Sequence, residues 1–113
     1  MNHRSFQPES FELEAAYLQA MAHPVRLYLL HFLASGPKCN CEIVPSLGLD
    51  HSTISRHLNT LKRAGILSSY KEGVKVMFHI QDERVLALME TVSAMVAKGM
   101  REELTKLETK IRR

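Results

Sequence analysis

The chain has 113 residues, 45% of them hydrophobic and 24% charged, with a formal net charge of +3. That length and apolar share suit one domain with its own core and exclude global disorder. No apolar run approaches the ~18 residues of a membrane span, and the opening MNHRSFQPES lacks the apolar core of a secretory leader.

The expected setting is therefore cytoplasmic, where two cysteines serve as ligands, sensors or buried thiols more often than as a structural disulfide. Charge is unevenly spread. Residues 1–50 carry three bases and five acids, and residues 81–113 carry seven bases and six acids. Between them, Arg56, Lys62, Arg63, Lys71 and Lys75 face Glu72 alone, which is the footprint of a phosphate binder.

Residues 1–9 read as a polar, mobile arm and residues 10–113 as one domain. Ser10 is placed to cap a first helix to about Ala22, with Glu12 and Glu14 near its positive end and an apolar stripe of Phe11, Ala15, Leu18 and Ala22. Pro24 fits the first position of a second helix to about Ser35, with Val25, Leu29, Phe32 and Leu33 as its core face, ended by Gly36-Pro37. A short third helix should stop at Gly48. Pro45 is tolerated only in a first turn, so that helix should begin near Glu42 to Val44 or be kinked.

Gly48-Leu49-Asp50 is then the tight turn into the stretch DHSTISRHLNTLKRAG, completing a helix-turn-helix. Asp50 suits an N-cap and Gly65 a left-handed C-terminal cap. Ile54, Leu58 and Leu61 recur at i, i+4, i+7 and face a core. The opposite face carries Ser52, Arg56 and Asn59, flanked by Thr53, Ser55, Thr60 and Arg63, and no acid occurs between Asp50 and Glu72. Such a face can enter a DNA major groove, where Arg reads guanine, Asn reads adenine and hydroxyls meet bases or phosphates. His51 is placed to donate to a phosphate, whereas His57 flanks the core face and reads as structural.

Ile66 to Tyr70 and Val74 to Ile80 read as strands of a hairpin around Lys71-Glu72-Gly73, with Lys71 and Lys75 at its tip. A hairpin directly after a helix-turn-helix is a wing, and its lysines are placed to touch phosphates. From about Glu83 to Leu107 or beyond comes a last helix striped with Val85, Leu88, Met89, Val92, Met95, Val96, Met100, Leu104, Leu107 and Ile111. At ~38–43 Å it outruns a domain roughly 35 Å across, so the same helix of a second copy is the simplest partner. The expected fold is mainly α with a small β-hairpin, a winged helix-turn-helix dimerising through its terminal helices. No nucleotide-binding glycine loop or activated nucleophile points to an enzyme.

AHPVRLYLL at Ala22 to Leu30, KCNCEIV at Lys38 to Val44, HSTISRHLNTLKRAGIL at His51 to Leu67 and the wing YKEGVKVMFHI together resemble the ArsR/SmtB family of winged-helix metal-responsive repressors. The resemblance implies double-stranded operator DNA as partner, a homodimer, and a sensing C-x-C pair, here Cys39 and Cys41. Arsenic-responsive members carry C-x-C-x-x-C, and the third position here is Val44. Cadmium- and lead-responsive members add cysteines from an N-terminal arm, and residues 1–20 contain none. The zinc site of other members uses D-x-H; here Asp82 is followed two residues on by Arg84, and no histidine lies beyond His79.

Residues i and i+2 of a helix lie about 200° apart, so chelation by Cys39 and Cys41 requires non-helical backbone, which Pro45 favours by pushing regular helix past Cys41. Lys38 and the positive end of the third helix should stabilise thiolate. Two thiols suit a soft ion or an organoarsenical. Arsenite takes three sulfurs, so an external thiol, a monomethyl arsenical or a different metal is required, and His3 on the arm is a remote further donor. The expected inducer is arsenite or a related arsenical, with no permanently bound cofactor. Filling the pair should distort the short helix and lift Ser52 to Asn59 from the groove. The alternatives are thiol oxidation or persulfide chemistry in the same repressor, and a winged-helix module that binds protein and never DNA.

Overall fold

The computed structural model describes residues 6–111. Five helices, α1 (Glu12–Met21), α2 (Pro24–Phe32), α3 (Asn40–Leu47), α4 (His51–Arg63) and α5 (Arg84–Ile111), accompany three strands, β1 (Lys38–Cys39), β2 (Leu67–Glu72) and β3 (Lys75–Ile80). The chain divides into two units, 1–82 and 83–113. Of the arm read over residues 1–9, residues 1–5, His3 among them, lie outside the described residues, and Pro8–Ser10 form a single 3₁₀ turn.

In the first unit the core is built from Leu29, Leu30 and Leu33 after the α1–α2 corner, Ile43 of α3, Ile54, Leu58 and Leu61 of α4, Ile66 just before β2, and Leu67 and Phe78 of the sheet. The i, i+4, i+7 stripe of α4 is buried as its spacing requires. Asp50 caps α4, its carboxylate accepting from the Thr53 amide. The helix ends at Ala64, and Gly65 follows in the left-handed region at φ +80°, where a side chain would be strained.

Two helix starts differ from the sequence expectation. Ser10 belongs to the 3₁₀ turn, and Phe11 sits at the N-cap of α1 without a side-chain cap. The stripe expected on α1 also stays largely uncovered: Ala15, Leu18 and Ala22 are exposed, while Ala20 and Met21 are buried. At α2 the start is as Pro24 implies, with His23 Nδ1 accepting from the Val25 amide at 3.1 Å.

The third helix begins earlier than the expected cost of Pro45 allows. It runs from Asn40, with Pro45 inside it and Gly48 closing it at φ +66°. A capping box holds its start: the Cys39 amide donates to Glu42 at 2.9 Å and the Cys39 sulfur accepts from the Cys41 amide at 3.0 Å. These contacts fix the first turn before the proline is reached, and proline cancels only its own link to residue 41.

The hairpin is present with its turn shifted one residue. Glu72 pairs with Lys75 around a two-residue Gly73-Val74 loop, Gly73 taking φ +64°. β1, which no periodicity announces, adds a third strand antiparallel to β3, giving the order β1-β3-β2, with Lys38 opposite Phe78 and Cys39 opposite Met77. The second unit is the single helix α5 of 28 residues, about 42 Å long at 1.5 Å per residue. Leu61→Ala, at a position with no exposed surface, should lower unfolding free energy by about 2–5 kcal/mol, measured by urea denaturation; an unchanged midpoint refutes the burial of the α4 stripe.

Candidate functional site

The outer face of α4 is laid out by the helical repeat. His51, Ser52, Arg56, Asn59 and Arg63 are all exposed, Ser52, Arg56, Asn59 and Arg63 forming one stripe, while Thr53 and Ser55 are half-buried. Two of the hydroxyls are already engaged. Ser52 Oγ donates to one Asp50 carboxylate oxygen at 2.5 Å and Thr53 Oγ1 to the other at 2.6 Å. These bonds, Ser52 first and then Thr53, hold the Asp50 carboxyl at about 2, from an ordinary 3.8. Ser55 Oγ lies 3.5 Å from His51 Nδ1. The exposed polar side chains of the face outside these contacts are chiefly Arg56, Asn59 and Arg63. Lys71 and Lys75 are exposed on either side of the hairpin turn, and Val74 between them is fully exposed.

The inner side of α4 holds a contact that sequence reasoning missed. Arg26 of α2 reaches His57 Nδ1 with Nη1 at 3.1 Å, while its Nε and Nη2 donate to the carbonyls of Ala20 and Gln19. The His57 ring also lies 4.5 Å from that of His23. Because guanidinium only donates, Nδ1 of His57 must carry a lone pair, and the ring is neutral with its proton on Nε2. Burial pushes the His57 pKa down first, and the charges of His23, Arg26 and Arg56 push it further the same way. The structural role expected of His57 is thereby given a partner. The available signal was one arginine in the apolar run PVRLYLLHF.

The cysteine pair stands where β1 becomes α3. Cys39 is extended at φ −70°, ψ 147° and almost fully buried, at 2% exposure, whereas Cys41 is exposed in the first turn of α3. The non-helical backbone that chelation requires comes from Cys39 as N-cap, and not from a helix delayed by Pro45. Expected as thiols, the two are joined as a disulfide, with their Cα atoms 5.1 Å apart. Lys38 does not serve the sulfurs as expected. Neighbouring side chains of a strand point to opposite faces, and its ammonium lies 5.9 Å from the centre of the Phe32 ring. Cys39 instead shares a groove of about 300 Å³ with Glu42, Glu72, Lys75 and Met77. Among the described residues no three His, Cys, Asp or Glu side chains are grouped to hold a metal ion, and no helix is long and apolar enough to cross a membrane.

A short helix, a tight glycine turn, a helix with a basic outer face and a lysine-tipped hairpin together define a winged helix-turn-helix regulator. Residues 23–69 match the family of bacterial regulatory proteins described as the arsR family. The HTH-type transcriptional regulator MJ1325 of Methanocaldococcus jannaschii is 40% identical over 85 residues, which are 74% of this chain and 96% of that protein. The cadmium resistance transcriptional regulatory protein CadC of Listeria innocua is 31% identical over 67% of this chain and 65% of its own length. Among solved structures, the homodimeric winged helix-turn-helix DNA-binding domain Mb0332 of Mycobacterium bovis superposes with a TM-score of 0.75 at 25% identity, over 90% of this chain and 95% of that one. The chain belongs to the arsR family, whose members are DNA-binding transcriptional regulators and not enzymes.

His57 gives the fold a pH dependence of known sign. Its folded pKa lies below the ordinary 6.5, so as pH falls through 6.5 the unfolded chain takes up the proton first and stability is lost. The urea midpoint should drop between pH 7.5 and pH 5.5, and His57→Gln should flatten that drop; an equal drop in both proteins refutes the assignment.

Proposed function

We propose that this protein is a homodimeric repressor that holds operator DNA through α4 and the wing and lets go when a thiophilic ligand joins Cys39 to Cys41. The observation that carries the reading is the position of Cys39, which belongs at once to the strand paired with the wing and to the N-terminus of the helix before α4. Any ligand that draws both sulfurs to itself acts on the cap of α3, on the β1–β3 pairing and so on both DNA-contacting elements. Each 1.4 kcal/mol of such coupling is worth about tenfold in affinity.

On the DNA side, Arg56 and Asn59 read base edges. His51, Arg63, Lys71 and Lys75 fix the phosphates, and Ser52, Thr53 and Ser55 line the approach of the helix. The place of action is the cytoplasm, with the chromosome. On the ligand side, two thiols suit an arsenical with two open positions better than arsenite, which asks for a third. The family includes a regulator named for cadmium resistance, which supports a soft ligand of this general kind.

The second copy is the partner of α5. Beyond the buried Val85 and Met89, its apolar stripe is exposed from Val92 at 50% to Ile111 at 80%, and Leu13 and Leu18 of α1 are exposed as well. A bare stripe of that length is a dimer face, and the Mycobacterium bovis relative is homodimeric. A second reading of the cysteines keeps the repressor and makes their disulfide the signal. Two thiols lose two electrons and two protons to a peroxide or polysulfide, and two equivalents of a low-molecular-weight thiol restore them, leaving as their own disulfide. The bonded sulfurs favour this reading.

Three outcomes are expected. Binding to duplex DNA should weaken steeply with salt, and Lys71→Ala with Lys75→Ala should reduce the log–log slope by about 2 per protomer, about 4 for the dimer, one for each phosphate no longer neutralised; a flat salt titration leaves only the protein-binding module. Cys39→Ser with Cys41→Ser, in which serine still caps α3, should bind operator as before and ignore phenylarsine oxide; loss of DNA binding sinks the scheme. Met95→Glu with Leu104→Glu should sediment as a monomer where the parent sediments as a dimer.

A further inference from the structure

We propose that Met77 of the wing supplies a third sulfur to Cys39 and Cys41, making an all-sulfur site for a soft monovalent cation, copper(I) or silver(I). The inference rests on the reading of the two cysteines as the sensing pair and adds the donor that pair lacks.

The register places it. Cys39 and Met77 are direct cross-strand partners in the antiparallel β1–β3 pair, so their side chains leave the sheet on the same face with Cβ atoms about 4.5–5.5 Å apart. Lys75, two residues before Met77, and its partner Glu72 lie on that face too. The groove agrees with the register, being lined by Cys39, Glu42, Glu72, Lys75 and Met77. Met77 is half-buried, and a thioether on three rotatable bonds adapts to a neighbouring site. Cys41 brings its sulfur to Cys39 from the first turn of α3.

The donor set selects the ion. Zinc and its borderline neighbours want four thiolate, imidazole or carboxylate ligands, and no three such side chains are grouped among the described residues. Glu42, the nearest carboxylate in sequence, accepts from the Cys39 amide. Two thiolates and a thioether suit copper(I), which accepts soft sulfur and few ligands. The step balances without redox change: the dithiol releases two protons to solvent, one cation is bound, and the site carries one net negative charge beside the Lys75 ammonium. The disulfide form has no thiolate to offer and must first be reduced by a dithiol reductant.

The same geometry gives the site a direct line to DNA. Drawing Met77 toward the cysteines moves the strand that carries Lys75, so the wing responds along with α3.

The test uses the full chain, labelled with selenomethionine, reduced with dithiothreitol and desalted without oxygen. Copper(I) is added against a bicinchoninate competitor, and copper-edge X-ray absorption is recorded. The expected result is one copper per chain with two sulfur neighbours and one selenium neighbour. The near-isosteric Met77→Leu should lose the selenium neighbour and at least tenfold in copper(I) affinity, while still binding operator and still releasing it with phenylarsine oxide. Absence of selenium from the copper shell, or equal affinity in Met77→Leu, overturns the role of Met77. Unchanged copper(I) binding after Cys39→Ser with Cys41→Ser overturns the cysteine site itself, a separate failure.

Discussion

The Cys41 amide donates to the Cys39 sulfur over 3.0 Å, and this contact sits where strand, helix and wing meet. The sulfur atom terminates the backbone of α3, its own residue closes β1, and β1 is zipped to β3. A cysteine used as a cap is chemically unlike a serine or aspartate used the same way, because its acceptor atom can be taken by a soft ion, a second sulfur or an oxidant. In this structure the sulfur accepts from the amide while bonded to the second sulfur, so the disulfide leaves the cap of α3 in place. The atom that caps α3 is also the atom that the chemistry of the pair uses. From α3 the chain passes through Gly48 directly into α4.

Helix α4 is held by contrasting devices on its two sides. Outward, Asp50 gathers two hydroxyls and an amide, which makes the first turn rigid and keeps a full negative charge there. Inward, below three buried aliphatic residues, Arg26 ties His57 to the carbonyls that end α1. The guanidinium satisfies helix-end acceptors and an imidazole at once, with its fixed fork of donors. A lysine at 26 has one point of attachment and does not span the same three groups. The positions of α1, α2 and α4 are thus linked by polar contacts as well as by packing.

Much of this was legible in the residues, and the limits have physical causes. The α4 stripe, its Asp50 and Gly65 ends, the hairpin and the long last helix follow from local repeats and local caps, and they stand within a residue or two of their expected places. β1 was invisible because a two-residue strand has no period; it exists only through its pairing with β3. The start of α3 precedes the Glu42 to Val44 start that the cost of proline predicts, because the capping box ahead of Pro45 fixes the first turn. The Arg26–His57 contact spans 31 positions, and the lone arginine in an apolar run marks one end of it without naming the other. For the site, the residues of the α4 face and the cysteines were readable as types, whereas the opposition of Cys39 and Met77, and the diversion of Lys38 to Phe32, needed the strand register.

Pro45 has an effect that reaches back to the cysteines. Having no amide hydrogen, it cannot supply the rung that a helix normally hangs on the carbonyl four residues earlier, which is that of Cys41. Hydrogen-bond cooperativity along α3 is interrupted directly downstream of the sulfurs. The first turn is therefore joined to the part that leads into Gly48 by one backbone hydrogen bond fewer than an uninterrupted helix would have.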